Sequence, residues 1–398
     1  MPSKVLQLLR EFSPRVLALV LIGATCGGLG AHYASSPEWL NNHGVPTEVT
    51  GALRAWKRAE AKESPYLAKG EASYRYSPGT LALVQYLPRD PESAWKQFTW
   101  LSILALGVAL WIGARYASLK SVLWLALGLL AGWQGILDTL SAGRVEFLIL
   151  CLAMAAVSLR RRVPLLSGAM AGTLPWIQLP WLLLLLPLTV VNVKSLAGKG
   201  RLEKRVRLVI TGYFLACFFW GAAFPVWVFG TERAQAFTRQ WIELLFSTGP
   251  ELFVSPANQS IWISAQRWLN LSGSETWGLG LTALVLSLFL GIFTARLLRT
   301  VPGREGYSWI TPWLLLAQLL NPLAWRFGSV FAVGAFFSSA LESQLSSRAR
   351  ALAWALFSVA FVLQFVPLLQ FLGVENPALL QAQGVTTVYW LALLLVCL

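Results

Sequence analysis

Long apolar stretches separated by short polar breaks run through the chain from Val16 to its end. Each is close to the ~20 residues with which a helix crosses a hydrocarbon layer. The hydropathy predicts about twelve transmembrane helices, near 16–34, 97–114, 121–138, 147–159, 163–175, 176–193, 208–230, 277–298, 307–320, 327–342, 351–372 and 386–398. Pro175 and Pro180 interrupt 163–193, so those two short spans can also be one irregular hairpin that does not cross fully. No internal repeat or low-complexity tract stands out. Residues 1–398 read as one all-α, polytopic integral membrane domain.

Composition sharpens this picture. Hydrophobic residues make up 56% of the chain and charged residues only 13%, against roughly 25% in soluble domains. A soluble domain, a disordered tail and a secreted disulfide scaffold are excluded. The net charge of +14 would ordinarily point to nucleic acid, but its distribution gives another reason. With a cytoplasmic N-terminus, nineteen of the 32 Lys and Arg face inward, with only four of the 18 Asp and Glu. Short basic loops such as Arg160-Arg161-Arg162 then all fall on one side, as the positive-inside rule expects, facing anionic lipid. The prediction is a multi-pass plasma (inner) membrane protein with no nucleic-acid partner. Tryptophans near run ends, Trp39, Trp95, Trp277 and Trp309, fit interfacial anchoring. A signal peptide must be considered at the basic N-terminus, yet Val16–Tyr33 is long for one and reads as the first transmembrane helix. Cys26, Cys151, Cys217 and Cys397 lie singly in apolar runs and read as buried small residues. His32 and His43 have no Cys/His cluster beside them, so no zinc site is expected.

Four outer segments follow from this topology: a first loop at 35–96, a turn at 139–146, a third loop at 231–276 and a connector at 321–326. In the first, Thr47 can cap a helix after Pro46, with Val49, Ala52, Leu53 and Trp56 on one face and Arg54, Lys57, Arg58 and Glu60 elsewhere. That is an amphipathic helix, read as lying on the membrane surface or as a solvated linker. Glu48 is its first acid. It has two readings: a general base for an acceptor hydroxyl, or a helix N-terminal glutamate favoured by the macrodipole. Polar residues at the membrane edge are costly and tend to be functional. The others are Asp138, Arg144 and Glu146 at the second turn, Gln178 within Trp176-Ile177-Gln178-Leu179-Pro180, Asn258-Gln259 in the third loop, and Asn321 to Arg326 in the connector. Arg326 carries the fixed fork of donors that suits phosphate. Acid, amide and arginine on one face suit a lipid-linked anionic substrate.

Taken in order, these segments resemble the polyprenyl-phosphate-dependent membrane glycosyltransferases of the GT-C superfamily, most closely glycosyltransferase family 87, the bacterial mannosyltransferase-like group. Ser64-Pro65-Tyr66 leading to Tyr76-Ser77-Pro78 is similar to that family's Asp-Pro-Tyr and Tyr-Pro-Pro. Gly143-Arg144-Val145-Glu146-Phe147 resembles its Gly-Gln-x-Asn segment. Pro164 to Pro187, with Gly168 and Gly172, resembles its Ala-Gly…Lys-x-x-Pro segment. Asn258-Gln259-Ser260 and Asn321-Pro322-Leu323-Ala324-Trp325 resemble its Asn-Gln-Ser and Ser-Pro-x-x-Trp motifs. The likeness covers most of residues 40–330. Three positions depart from the family: Glu48 is the nearest acid to its catalytic aspartate, Gln178 stands for a lysine expected to meet lipid phosphate, and Arg326-Phe327 replaces basic or imidazole residues.

The resemblance implies transfer of a sugar, mannose being its first candidate, from a polyprenyl-phosphate donor to an acceptor hydroxyl at the outer face of the cell envelope. It implies Glu48 as base, with Arg326, Arg144 and Gln178 near the phosphate. Tyr66, Tyr76 and Trp325 would line the sugar or acceptor, and Glu146, Asn258, Gln259 and Asn321 would complete the substrate site. A divalent metal assists some relatives, but no dedicated ligand set stands in this sequence. The acceptor class, glycan, lipid or protein, is open. The alternatives are an inactive relative that binds lipid-linked sugar and a lipid or solute transporter. Against transport, no repeat is visible and the ionisable residues cluster at one surface.

Overall fold

The computed structural model describes residues 14–34, 45–66, 74–114, 119–185, 201–246 and 311–320, together with isolated residues between 188 and 394. The described backbone is helical. Its helices are α1 (Pro14–Ala34), α2 (Thr47–Glu60), α3 (Pro78–Leu83), α4 (Pro91–Ala114), α5 (Leu119–Ser141), α6 (Glu146–Leu159), α7 (Pro164–Ile177), α8 (Arg201–Phe218), α9 (Phe224–Phe229), α10 (Thr231–Phe246) and α11 (Thr311–Leu320). A π-helical turn, Phe219–Ala223, joins α8 to α9, and a 3-10 stretch, Leu179–Leu184, follows α7.

Among the described residues, three helices are long and apolar enough to cross a membrane: Val16–Ala34, Pro91–Ala114 and Lys204–Phe229. A fourth is reached if Gly135–Ser141 and Glu146–Leu159, bent by 114°, count as one broken span. Twelve spans are therefore not what the described residues contain. Those expected at 327–342 and over most of 277–298, 351–372 and 386–398 lie outside them. Bulky apolar side chains point outward along the three long helices, with Val20, Leu104, Phe218 and Trp227 all more than 60% exposed. Water would penalise such surface, whereas lipid matches it.

Two expectations about local structure are corrected. Helix α7 runs past Pro175 rather than ending at it, and breaks instead at Gln178, which is extended (φ −146°, ψ 121°). The proline ring's fixed φ is helical, so Pro175 costs one hydrogen bond near a helix end. Pro180, lacking an N–H, then prevents the ladder from resuming. Helix α2 begins at Thr47 with Pro46 as its flanking residue and has no side-chain cap. Its apolar face is also covered by protein instead of resting on lipid. Val49, Leu53 and Trp56 are buried in a cluster with Tyr66, Tyr74, Trp95 and Phe229. An aromatic wall offers deeper burial for Trp56 than a bilayer surface would.

The described core consists of two clusters. One joins α1, α4–α8, the 3-10 stretch and α11; the other joins α2, α3, the start of α4, α9 and α10. Tyr33 and Tyr76 pack against both. Glycines set the closest helix approach. A Cβ on Gly168 would lie 1.9 Å from the Val209 carbonyl oxygen, and one on Gly212 would lie 1.9 Å from that of Leu165. α7 and α8 thus touch backbone to backbone, the small-residue packing that replaces hydrophobic association inside lipid.

Candidate active site

Three local structures bring the polar residues together where the two clusters meet. The first is the start of α2. Glu48 lies in its first turn, where a carboxylate complements the helix dipole.

The second is the reversal between α5 and α6. Helix α5 ends with Gly143 at φ +64°. The Gly143 N–H reaches the Leu140 carbonyl at 3.1 Å and the Arg144 N–H reaches that of Thr139 at 3.0 Å. This bond pair is a Schellman motif, which needs a left-handed residue at the Gly143 position. It fixes where Arg144 leaves the chain. A Cβ on Gly143 would sit 2.7 Å from Val49 Cγ2, so the same glycine seats the turn against α2. Gly143→Ala is expected to cost at least the about 1–2 kcal/mol of a left-handed non-glycine residue and to separate Arg144 from Glu48. Thermal unfolding in detergent, read beside a transfer assay, checks this.

The third is the segment before α3. Ser77, fully buried, accepts from the Thr80 N–H at 3.3 Å, and Pro78 opens the helix. The Thr80 hydroxyl donates to the Trp176 carbonyl at 3.1 Å. The Trp241 indole donates to the Arg75 carbonyl at 3.0 Å, and the Ser64 hydroxyl donates to Gln240 Oε1 at 2.7 Å. The loop that presents Tyr74 and Tyr76 is thereby tied to both α7 and α10.

The resulting geometry centres on Arg144. Its Nη2 lies 3.0 Å from Glu48 Oε1, with side chains 17% and 18% exposed, so both remain within reach of a ligand. The Tyr76 hydroxyl lies beside the same guanidinium. Glu146, the first residue of α6, is buried and within electrostatic range of Arg144, Glu48 and Tyr76. Gln178 Oε1 accepts from the Trp181 indole at 3.2 Å, which sets which way the amide points, and the Gln178 side chain lies beside the Glu146 carboxylate. The Tyr66 hydroxyl donates to the Tyr76 carbonyl at 3.1 Å, and the rings of Tyr66, Tyr74 and Tyr76 pack in a row, tilted and then edge-on, with centroids 6.0 and 5.6 Å apart. Burial, and then neighbouring Tyr66, Tyr76 and Glu48, holds the Tyr74 hydroxyl well above the ordinary phenol range, so it stays a donor.

Of the residues singled out in the sequence, Glu48, Tyr66, Tyr76, Arg144, Glu146 and Gln178 thus share one neighbourhood. Asn258, Gln259, Asn321, Trp325 and Arg326 lie outside the described residues. Sequence reasoning missed Tyr74 as a site residue, although the Tyr-Arg-Tyr alternation puts it one residue from Arg75 and two from Tyr76. It also missed Trp176 and Trp241, whose rings lie 5.7 Å apart behind that loop. The described residues do not fit a divalent metal. Glu48 is held by Arg144, and no group of three His, Cys, Asp or Glu side chains converges among them.

Chemically, the cluster offers a carboxylate held by an exchangeable cation, a second, buried carboxylate and a wall of tyrosines. A carboxylate can take a proton from a hydroxyl, and a guanidinium can accept an anion in exchange for its carboxylate partner. No curated protein matches the chain. The family model for glycosyltransferase family 87 matches residues 74–320. That stretch holds Tyr76, Arg144, Glu146 and Gln178 and leaves Glu48 on the N-terminal side. It exceeds half of the 398 residues, and the apolar helices are those of a membrane protein: the chain belongs to glycosyltransferase family 87.

Proposed function

We propose that the protein transfers a hexose, with mannose the first candidate, from a polyprenyl-phosphate donor to an acceptor hydroxyl at the outer face of the plasma membrane. The observation that carries this reading is the Glu48–Arg144 pair, with Tyr76 on the same guanidinium. In the reaction, Glu48 takes the proton of the acceptor hydroxyl. The acceptor oxygen forms its bond to the anomeric carbon, and the bond from that carbon to the phosphate oxygen breaks. The phosphate leaves with the electron pair. Arg144 is the cation that the leaving group meets, and its transfer from Glu48 to phosphate frees the carboxylate lone pairs for the acceptor. Gln178 orients Glu146 beside it. Arg326 is the second cation in this reading and Trp325 a sugar-facing ring. Asn258, Gln259 and Asn321 complete the substrate site. The N-terminus faces the cytoplasm, because the basic loops then share one side.

A lipid-linked donor is favoured over a nucleotide sugar because the sequence shows no Gly-rich phosphate loop and the described helices expose broad lipid-facing surface. The test uses membranes containing the full chain, supplied with labelled polyprenyl-phospho-hexose or labelled nucleotide sugar. Label is expected in glycan, lipid or protein only from the first donor. Transfer from the nucleotide sugar, with the lipid-linked donor inert, overturns the reading.

A further inference from the structure

The Tyr74 hydroxyl and Glu146 Oε2 are buried polar atoms of the site that make no hydrogen bond among the described residues. Tyr74 is 5% exposed and Glu146 is 4% exposed. Leaving such an atom unmade ordinarily costs about 1–3 kcal/mol, and natural structures keep few. The neighbours underline the contrast. Tyr66, equally buried, gives its hydroxyl to the Tyr76 carbonyl. Tyr76 lies beside Arg144, and Glu146 lies beside Gln178. Tyr74 sits between Tyr66 and Tyr76 in the row of rings and within electrostatic reach of Glu48. An unused donor and an unused acceptor beside the same carboxylate–guanidinium pair match a ligand rich in hydroxyls, each of which both donates and accepts. A phosphate could use the donor but would be repelled by the acceptor.

We propose that Tyr74 reads the transferred sugar, its O–H donating to one ring hydroxyl of the hexose while Glu146 Oε2 accepts from another. This rests on the lipid-linked sugar donor argued above and adds which of its groups selects the sugar. Tyr74 lies outside the motifs by which the chain resembles its family. A site built around a substrate hydroxyl discriminates steeply against analogues lacking it.

The test compares full-length wild type, Tyr74→Phe and Tyr66→Phe in lipid vesicles with polyprenyl-phospho-hexose and its set of monodeoxy analogues. Tyr74→Phe is expected to lower kcat/KM for the intact donor roughly ten- to a hundredfold. With one particular deoxy donor it should match wild type, because that donor has already lost the partner. Its melting temperature should stay level or rise, since an unpaired buried hydroxyl has been removed. Tyr66→Phe, which breaks a made bond, should melt lower and lose the same factor with every donor. An equal loss for Tyr74→Phe across all donors, or no loss at all, overturns the proposal. A wild type inert toward every lipid-linked donor instead overturns the donor assignment, so the two failures are distinguishable.

Discussion

Glu48→Gln is expected to lower sugar transfer by at least a hundredfold while leaving the protein folded. Glutamine keeps the volume and still offers Arg144 a carbonyl oxygen 3.0 Å away, so the local packing has no reason to collapse. What it cannot do is bind the proton released by the acceptor, and a positioned base contributes about 10²–10⁴-fold to such steps. The donor should bind at least as well as before, because a neutral side chain competes less for Arg144 than a carboxylate does. A fall in kcat without a rise in donor KM is therefore the expected signature, measured with labelled polyprenyl-phospho-hexose at varied donor concentration. Glu60→Gln is the control on the same helix. Glu60 pairs with Arg89 at 2.6 Å, but both side chains are about half exposed, and such pairs contribute little. Undiminished transfer by Glu48→Gln removes Glu48 from the mechanism.

The largest structural effect is expected at Gly168. In Gly168→Val the new Cβ would start 1.9 Å from the Val209 carbonyl oxygen and 2.9 Å from the Tyr213 backbone nitrogen. Both obstacles are backbone of α8, so no rotamer change relieves them. The two helices must separate by more than an ångström over a contact that also includes Gly172 and Gly212. Overpacking typically costs about 1–3 kcal/mol and occasionally more, and here separation also undoes neighbouring contacts. The Ser167 hydroxyl bond to the Ala156 carbonyl and the Trp220 indole bond to Thr173 at 3.0 Å both depend on where α7 lies. Folded protein recovered by size exclusion in detergent should fall to a small fraction of wild type. Gly23→Val, at a glycine with nothing within 4 Å of its Cβ position, should be recovered normally. Equal recovery of the two variants would show that the α7–α8 contact is not close.

How much of this was readable in the chain differs by element. Helix α2 was legible because Val49, Leu53 and Trp56 repeat with helical period and Glu48 opens the run. What its face packs against was not, because a helical period cannot tell lipid from an aromatic wall supplied by residues as distant as Phe229. The convergence of Arg144 on Glu48 was expected only as a shared face. The pairing itself depends on Gly143 adopting a left-handed conformation, and a Ser-Ala-Gly-Arg string allows several turns. The break at Gln178 was misplaced by two residues because proline's effect on a helix depends on which carbonyl loses its donor. Tyr74 was invisible as a site residue. An unpaired hydroxyl is a property of assembled neighbours, and no residue type announces it. The helix count was read from hydropathy alone, whereas short or bent segments such as α5–α6 cross, or fail to cross, according to their packing.

The π-helical turn at Phe219–Ala223 carries one more implication. Such a turn holds one residue more than regular winding needs, and one residue corresponds to roughly 100° of rotation about a helix axis. Everything beyond it, including the α10 side chains Gln240 and Trp241 that brace the loop before α3, is aimed by that single surplus residue. Within lineages of this fold, gain or loss of one codon in this stretch would swing the brace away from the tyrosine loop without altering a single residue that touches substrate.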